Sequence, residues 1–411
     1  MRGVLRTPHD WVMFIYYAYV VWNSPTFMGA LIGFLSLLAF YLLTVQTLSD
    51  WDRILRYLRW WNGLLLAVSV IGLLSLIGVD LTGAGERTVF NAGRLALGTW
   101  LHNNPNALGH SVIVTLPLSY LLFFWKGGAS GRFLIFPVFG VVALACVWQT
   151  QSKGAFLVGG VLCVLLFVIG RPKVVQVGAI SLAAILGVGA LSFLPRMESM
   201  DNLQSDQGVQ GRLLAWEMAR TVTRNQPTGT GWQTFVAYID WKEGNVLHRD
   251  IPKATHSSYV QVGADLGIYG LFIYLLGLWV ALRTLLRMKS ENDEQERCRR
   301  GLLLLLIANL ISGWMINRQY HTEYFLLIGT AAAMHRLYKV RQDQLLQEAE
   351  AARLEETAER GDAEVVDLGA VLSANPRVRP FWNRLDIWDL AAGVTMTWLT
   401  IEFWDYMLAK L

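Results

Sequence analysis

Charge is what this chain has least of. Asp, Glu, Lys and Arg make up 16% of its 411 residues, and 54% are hydrophobic; a soluble domain carries about 25% charged residues. Cysteine is also scarce. Cys146 and Cys163 lie in apolar stretches and Cys298 in a charged one, which excludes a disulfide framework. The sequence has no HExxH, no paired Cys/His spacing and no DxD, so no metal motif is present. It has no Walker-type loop and no dinucleotide fingerprint, so no cofactor is expected and an already activated substrate has to drive any chemistry. No small-residue cleavage site follows the first apolar stretch, and no cleavable signal is expected. A net charge of +4 gives no reason to expect nucleic acid as a partner.

What the chain has instead is apolar runs of bilayer length. They predict an all-α polytopic membrane protein with eleven spans, near 11–22, 26–46, 62–79, 108–125, 133–150, 155–170, 174–194, 258–282, 301–317, 319–334 and 386–409. Clusters of Arg and Lys then fall on one side throughout: Arg53, Arg56 and Arg59; Lys126 and Arg132; Arg171 and Lys173; Arg283 to Arg300; Arg336 to Arg341. The positive-inside rule makes that side cytoplasmic. The expected organisation is an N-terminal membrane region (1–194), a large outward helical loop (195–257), a second membrane region (258–340), a charged cytoplasmic helix and tether (341–385) and a further span (386–411).

Polar groups gather on the outward side. His256 sits where the long polar segment meets the span at 258, and an imidazole with a reference pKa of about 6.5 can accept a proton at neutral pH. Its plainer reading is a hydrogen-bonded helix start. In the outer loop Arg212, Trp216, Arg220 and Arg224 recur every four residues, a helix that Pro227 ends. That stripe reads either as a solvated face paired with Glu217 or Asp206, or as an anion clamp for a diphosphate. Lys153 stands in an outward hairpin, QTQSKG at 149–154, where short loops disfavour positive charge; it either snorkels or meets a phosphate. Ser152 beside it, Asn103 and Asn106 in LHNNPNALG (101–109), and Arg318, His321 and Glu323 near Asn317 are candidates for lining the same site. Glu402 and Asp405, near the end of the last span, read as interfacial groups or a contact to another protein.

At these residues the chain resembles the bacterial O-antigen ligase and polysaccharide polymerase superfamily. The likeness runs from about residue 7 to 334 and rests on an ordered set: LHNNPNALG, QTQSKGAFL, GRLLAWEMA, PTGTGWQTF and HSSYVQVGADLGIYGL. It implies an inverting, metal-independent glycosyltransferase of the general C type in the bacterial inner membrane, with its site facing the periplasm. The implied donor is a glycan on undecaprenyl diphosphate, and the implied acceptor is another glycan or lipid A-core. By the same resemblance His256 is catalytic, while Arg212 and Lys153, with Arg220 on the same stripe, hold the diphosphate. Lys153 replaces the family's more usual Arg, which keeps the charge and loses the bidentate fork. Family members carry more N-terminal spans, so the chain reads either as an abbreviated form or as one that starts from a misassigned Met. The tether and last span after Arg341 lie outside the pattern, and other polysaccharide assembly proteins are expected among the partners. A flippase of lipid-linked sugars and a non-catalytic scaffold are the competing readings. The first predicts broken helices in repeated halves, which are not visible; the second has the long cytoplasmic helix in its favour.

Overall fold

Side-chain caps set where several of the helices begin. In the computed structural model, which describes residues 6–83, 89–90, 93–99, 102–168, 172–179, 181, 207–243, 246–360, 382 and 384–409, α1 (Pro8–Asn23) opens on a reciprocal box in which Thr7 Oγ1 accepts from Asp10 N–H and Asp10 Oδ2 accepts from Thr7 N–H. After α2 (Phe27–Thr47), Asp50 Oδ1 accepts from Arg53 N–H at 2.8 Å and starts α3 at Trp51 (Trp51–Leu76). The third helix therefore begins earlier than the apolar run that betrays it. Arg53, Arg56 and Arg59 lie in its first turns rather than in a loop, and Arg53 and Arg56 pair with Asp50 and Asp52.

Next come a short hairpin of β1 (Val89–Phe90) and β2 (Arg94–Leu95), then α4 (Pro105–Phe124), α5 (Gly131–Thr150) and α6 (Lys153–Val168). Most of the expected span at 174–194 lies outside the described residues, as does the end of the loop before α7 (Gln207–Asn225). The segment expected as a helical loop at 195–257 is not purely helical where it is described. Antiparallel strands β3 (Ala237–Glu243) and β4 (Val246–Lys253) form a hairpin with Ile239 opposite Ile251 and an irregularity before Trp241. Then follow α8 (Ser258–Arg287), α9 (Asp293–Ser312), α10 (Thr322–Arg360) and α11 (Ile387–Leu408). The expected span at 319–334 and the charged helix after it are one 39-residue helix, about 58 Å long, because no Gly or Pro interrupts it after Gly329.

The chain is mostly helical, and among the described residues five helices are long and apolar enough to cross a membrane: α2, α3, α4, α5 and α8. That is fewer than the eleven expected; α1 and α6 are shorter, and α9 and α10 carry many charges. In α4 and α8, 72% of the apolar window is buried inside the protein, against 39%, 22% and 28% in α2, α3 and α5. The first two form the centre. The others turn large apolar side chains outward, such as Ile32, Leu43, Phe133 and Val141, as a lipid-facing surface does. The inner face of α8 packs an aromatic cluster in which Tyr274 stacks on Tyr324 at 4.4 Å beside Tyr16, Phe34 and Phe325.

Helix α8 is broken at Gly267, whose φ of +67° and ψ of −169° are open only to glycine. A helix break strands backbone groups. Here the 227–231 turn, PTGTG, satisfies them: Thr230 and Gly231 N–H donate to the Ala264 and Asp265 carbonyls at 3.1 and 2.7 Å, and Ile268 N–H donates to Pro227 O at 2.9 Å. Two sequence motifs thus lock together through their main chains, with Asp265 Oδ1 accepting from Phe235 N–H besides.

Helix α11 is part of this fold and not an appendage. At its start Asp386 and Asp389 grip the buried Arg283 of α8, which also lies over the Trp382 ring at 4.2 Å. At its far end Trp404 is fully buried against α8 and α7.

Candidate functional site

The turn before α8 holds His256 in a left-handed conformation, φ +51°, rare for a residue with a Cβ. Its neighbours over-determine it. Thr255 and Ser257 are buried; Ser257 Oγ caps α8 by accepting from Val260 N–H and donates to Gly313 O. Ser258 Oγ donates to Ile316 O at 2.8 Å and accepts from Arg318 N–H at 2.9 Å. Thr255 O accepts from the Trp216 indole of α7 at 2.7 Å. In HSS, then, the serines tie down the turn and the histidine is left to present its ring.

Burial lowers the His256 pKa from its ordinary 6.5 to about 4, helped by the positive charges of Arg212 and then Lys253. The imidazole is therefore neutral at pH 7 and faces two cations. Lys253 ends β4 and lies across α7 at Gly211, where an added Cβ would come within 2.7 Å of its Cε. Nothing in its own neighbourhood of the sequence marked Lys253; only the hairpin brings it there.

Lys153 opens α6 two residues after Gln151, whose φ of +48° closes α5 with a left-handed cap. The two motifs around it pack on each other. Gly109 faces Thr150, Ser152 and Ala155, and the His110 ring lies against Gly154, so close that a Cβ there would sit 2.7 Å from Nε2. His110 Nδ1 meets Ser312 Oγ at 2.8 Å. Arg212 is within electrostatic range of both His110 and His256, so the elements carrying Lys153, Arg212 and His256 converge on one region.

The remaining candidates are placed differently. Arg220 gives both guanidinium edges to Asp405 of α11, Nε at 2.7 Å and Nη2 at 2.9 Å, and sits over Trp404. It ties α7 to α11. A four-residue repeat drifts about 40° per step on a helix of 3.6 residues per turn, so Arg220 points some 80° away from Arg212. Asp405 accordingly makes a contact within the chain. Arg318, buried, binds Glu323 at 2.8 Å and Ala107 O at 2.7 Å and also reaches Ser111. With Glu323 it braces α4 against the 313–323 segment and borders a cavity of about 10 Å³, room for one water. Asn106 accepts from Arg94 at 2.9 Å, while Asn104 is the helix cap. Ser152 is buried in the hairpin and Asn103 is exposed. His102, near Arg318, meets Ser111 Oγ at 3.2 Å, and burial lowers it to about 4. His321 borders a separate cleft of about 500 Å³ whose wall runs from Gln233 and Lys253 to Gln261 and Tyr320.

Comparison with known proteins bears on the same stretch. The O-antigen ligase family model matches residues 138–275, from within α5 through α7 and the hairpin to past the break in α8. A search of curated proteins found no match.

Proposed function

We propose that this chain, whose residues 138–275 match the O-antigen ligase family model, is a membrane glycosyltransferase that moves a glycan from undecaprenyl diphosphate to an acceptor hydroxyl at the periplasmic face. The observation that carries the reading is a neutral imidazole, that of His256, held in a strained turn at the mouth of α8 and flanked by the cations Arg212 and Lys253. A base and anion-binding groups side by side are what displacement of a diphosphate by a hydroxyl requires.

In the proposed step the acceptor hydroxyl donates its proton to His256 as its oxygen attacks the anomeric carbon. The bond from that carbon to the diphosphate oxygen breaks on the opposite face, so configuration inverts. Arg212 and Lys153 stabilise the charge that grows on the leaving diphosphate, and Lys253 adds to the same field. An imidazole near 4 is a weak base in the free protein. A bound diphosphate sets its own negative charge against the two cations and raises the imidazole toward the range where a general base works.

Purified protein given lipid-linked glycan and acceptor, without ATP, is expected to form product, and His256→Ala to lose about 10²–10⁴-fold of the rate. Full transfer by His256→Ala overturns the base. Movement of lipid-linked glycan across a vesicle membrane without product selects a flippase, and neither activity selects a scaffold.

A further inference from the structure

We propose that the cleft of about 500 Å³ whose wall includes Lys253 and Ala254, just ahead of His256 in the chain, binds the acceptor, as a neutral carbohydrate whose attacking hydroxyl it delivers to the imidazole. The inference rests on the transferase reading and names the substrate that this part of the site takes.

The cleft lies among the end of β4, the 233–236 segment, the first two turns of α8 and the 317–321 segment. Its wall reaches the chain just before the histidine. Lys253 and Ala254 line it, and Asn317 Oδ1 lies 3.1 Å from the hydroxyl of Thr255, the residue before His256. Its size falls in the range of about 300–1,000 Å³ typical of small-molecule sites.

Its chemistry is that of a sugar site and not of a phosphate site. Among the lining residues Lys253 is the one Lys or Arg, and Asp265 the one carboxylate. Asp265 is fully buried and already accepts from Phe235 N–H at 2.8 Å, Tyr320 O–H at 3.0 Å and Gln261 Nε2 at 3.3 Å. The carboxylate organises the wall and offers little charge to a ligand. What remains is mostly amide and ring surface: Gln233, Gln261, Asn317 and Gln319, with Phe235, Tyr320 and the His321 imidazole. Planar amides match the paired donor and acceptor of vicinal hydroxyls, and aromatic rings cover the apolar face of a pyranose.

Gln319 supplies an independent sign. It is 7% exposed, and its Oε1 has no hydrogen-bond partner among the described residues. An amide oxygen buried in that way costs about 1–3 kcal/mol. The terminal amide torsion is soft, so a small rotation turns Oε1 to a hydroxyl in the cleft. A diphosphate would find no such use for it, since a carbonyl oxygen repels an anion. The lipid-linked end of the donor therefore belongs with Arg212 and Lys153, and the cleft with the other substrate.

The test uses the full-length protein in lipid nanodiscs. Oligosaccharide released by mild acid from the host's own envelope polysaccharide is the probe, and its contact with protein is read by saturation-transfer NMR. Wild type and His256→Ala are expected to show binding, and Gln319→Leu and Asn317→Ala to lose it. In transfer assays both cleft variants are expected to raise the acceptor KM roughly tenfold per lost hydrogen bond, with the donor KM within about twofold. Gln319→Leu removes an unsatisfied group, so its thermal midpoint is expected to match or exceed wild type, which separates lost binding from lost folding. An unchanged acceptor KM in both variants, a shift in the donor KM instead, or transfer to a peptide hydroxyl with no sugar binding overturns the proposal. Activity that survives in His256→Ala overturns the transferase mechanism and leaves the binding result to stand or fall alone.

Discussion

Asp405 takes both nitrogens of the Arg220 fork, at 2.7 and 2.9 Å, and draws in Arg224 at 3.3 Å. One residue earlier the Trp404 indole donates to Trp216 O at 3.2 Å, and the Trp216 indole donates to Thr255 O at 2.7 Å. The last helix is thereby connected, by two indole hydrogen bonds in series, to the residue that precedes His256.

Asp405→Asn is expected to cost about 1–2 kcal/mol, because the pair is only partly exposed and the guanidinium is left without its counter-charge. The thermal midpoint should fall and activity with it. Exchanging the charges, Arg220→Asp with Asp405→Arg, should recover part of both. No recovery in the exchange protein would mean that the geometry of the fork, and not the attraction, is what matters.

Arg212→Ala is expected to raise the donor KM by about tenfold or more, the loss of one charge-assisted contact. Arg212→Lys should recover part of it, since charge returns without the fork. Equal donor kinetics in wild type and Arg212→Ala would remove Arg212 from the diphosphate site.

The pH profile follows from the His256 environment. In the free protein the imidazole titrates near 4, so kcat/KM for the donor should hold steady as pH falls through 6.5 and drop only on approaching 4. With diphosphate bound the imidazole holds its proton more tightly, so the acid limb of kcat should lie at higher pH than that of kcat/KM. The same depression affects stability. Above 6.5 the residue is neutral in folded and unfolded chains alike; between 6.5 and 4 only the unfolded chain gains the proton, so stability falls with pH across that window and levels off below it. His256→Asn should flatten that slope.

Gly267→Ala is expected to destabilise the protein by at least ~2 kcal/mol. Its backbone angles are closed to alanine, and the new Cβ would run into Pro227 O and Thr228. A thermal midpoint unchanged within a degree would show that the break in α8 is not required.

Much of the helical layout was legible because a long apolar run has few alternatives. The ends of α3 and α10 were not, since a cap such as Asp50 and a polar stretch without Gly or Pro extend a helix past the apolar part that reveals it. The β3–β4 hairpin had a signal that the helical reading passed over, a Gly-Asn pair between runs of alternating and β-branched residues. His256, Arg212 and Lys153 were visible as motif residues. Lys253, Trp216 and Gln319 were not visible as parts of a site, because what makes them so is who stands next to them after folding. The pairing of Arg220 with Asp405 was hidden for the converse reason: a stripe in the sequence is not a stripe in space once the helix has turned.

The interlock at Gly267 has a consequence for solvent exchange. Amides in a connecting turn ordinarily trade hydrogen with water quickly. Those of Thr230 and Gly231 are instead bonded to carbonyls of a buried helix, and that of Ile268 is bonded back to the turn. In deuterium these three should exchange as slowly as the interior of α8 itself, and they should be released together, since none can open without exposing the broken helix.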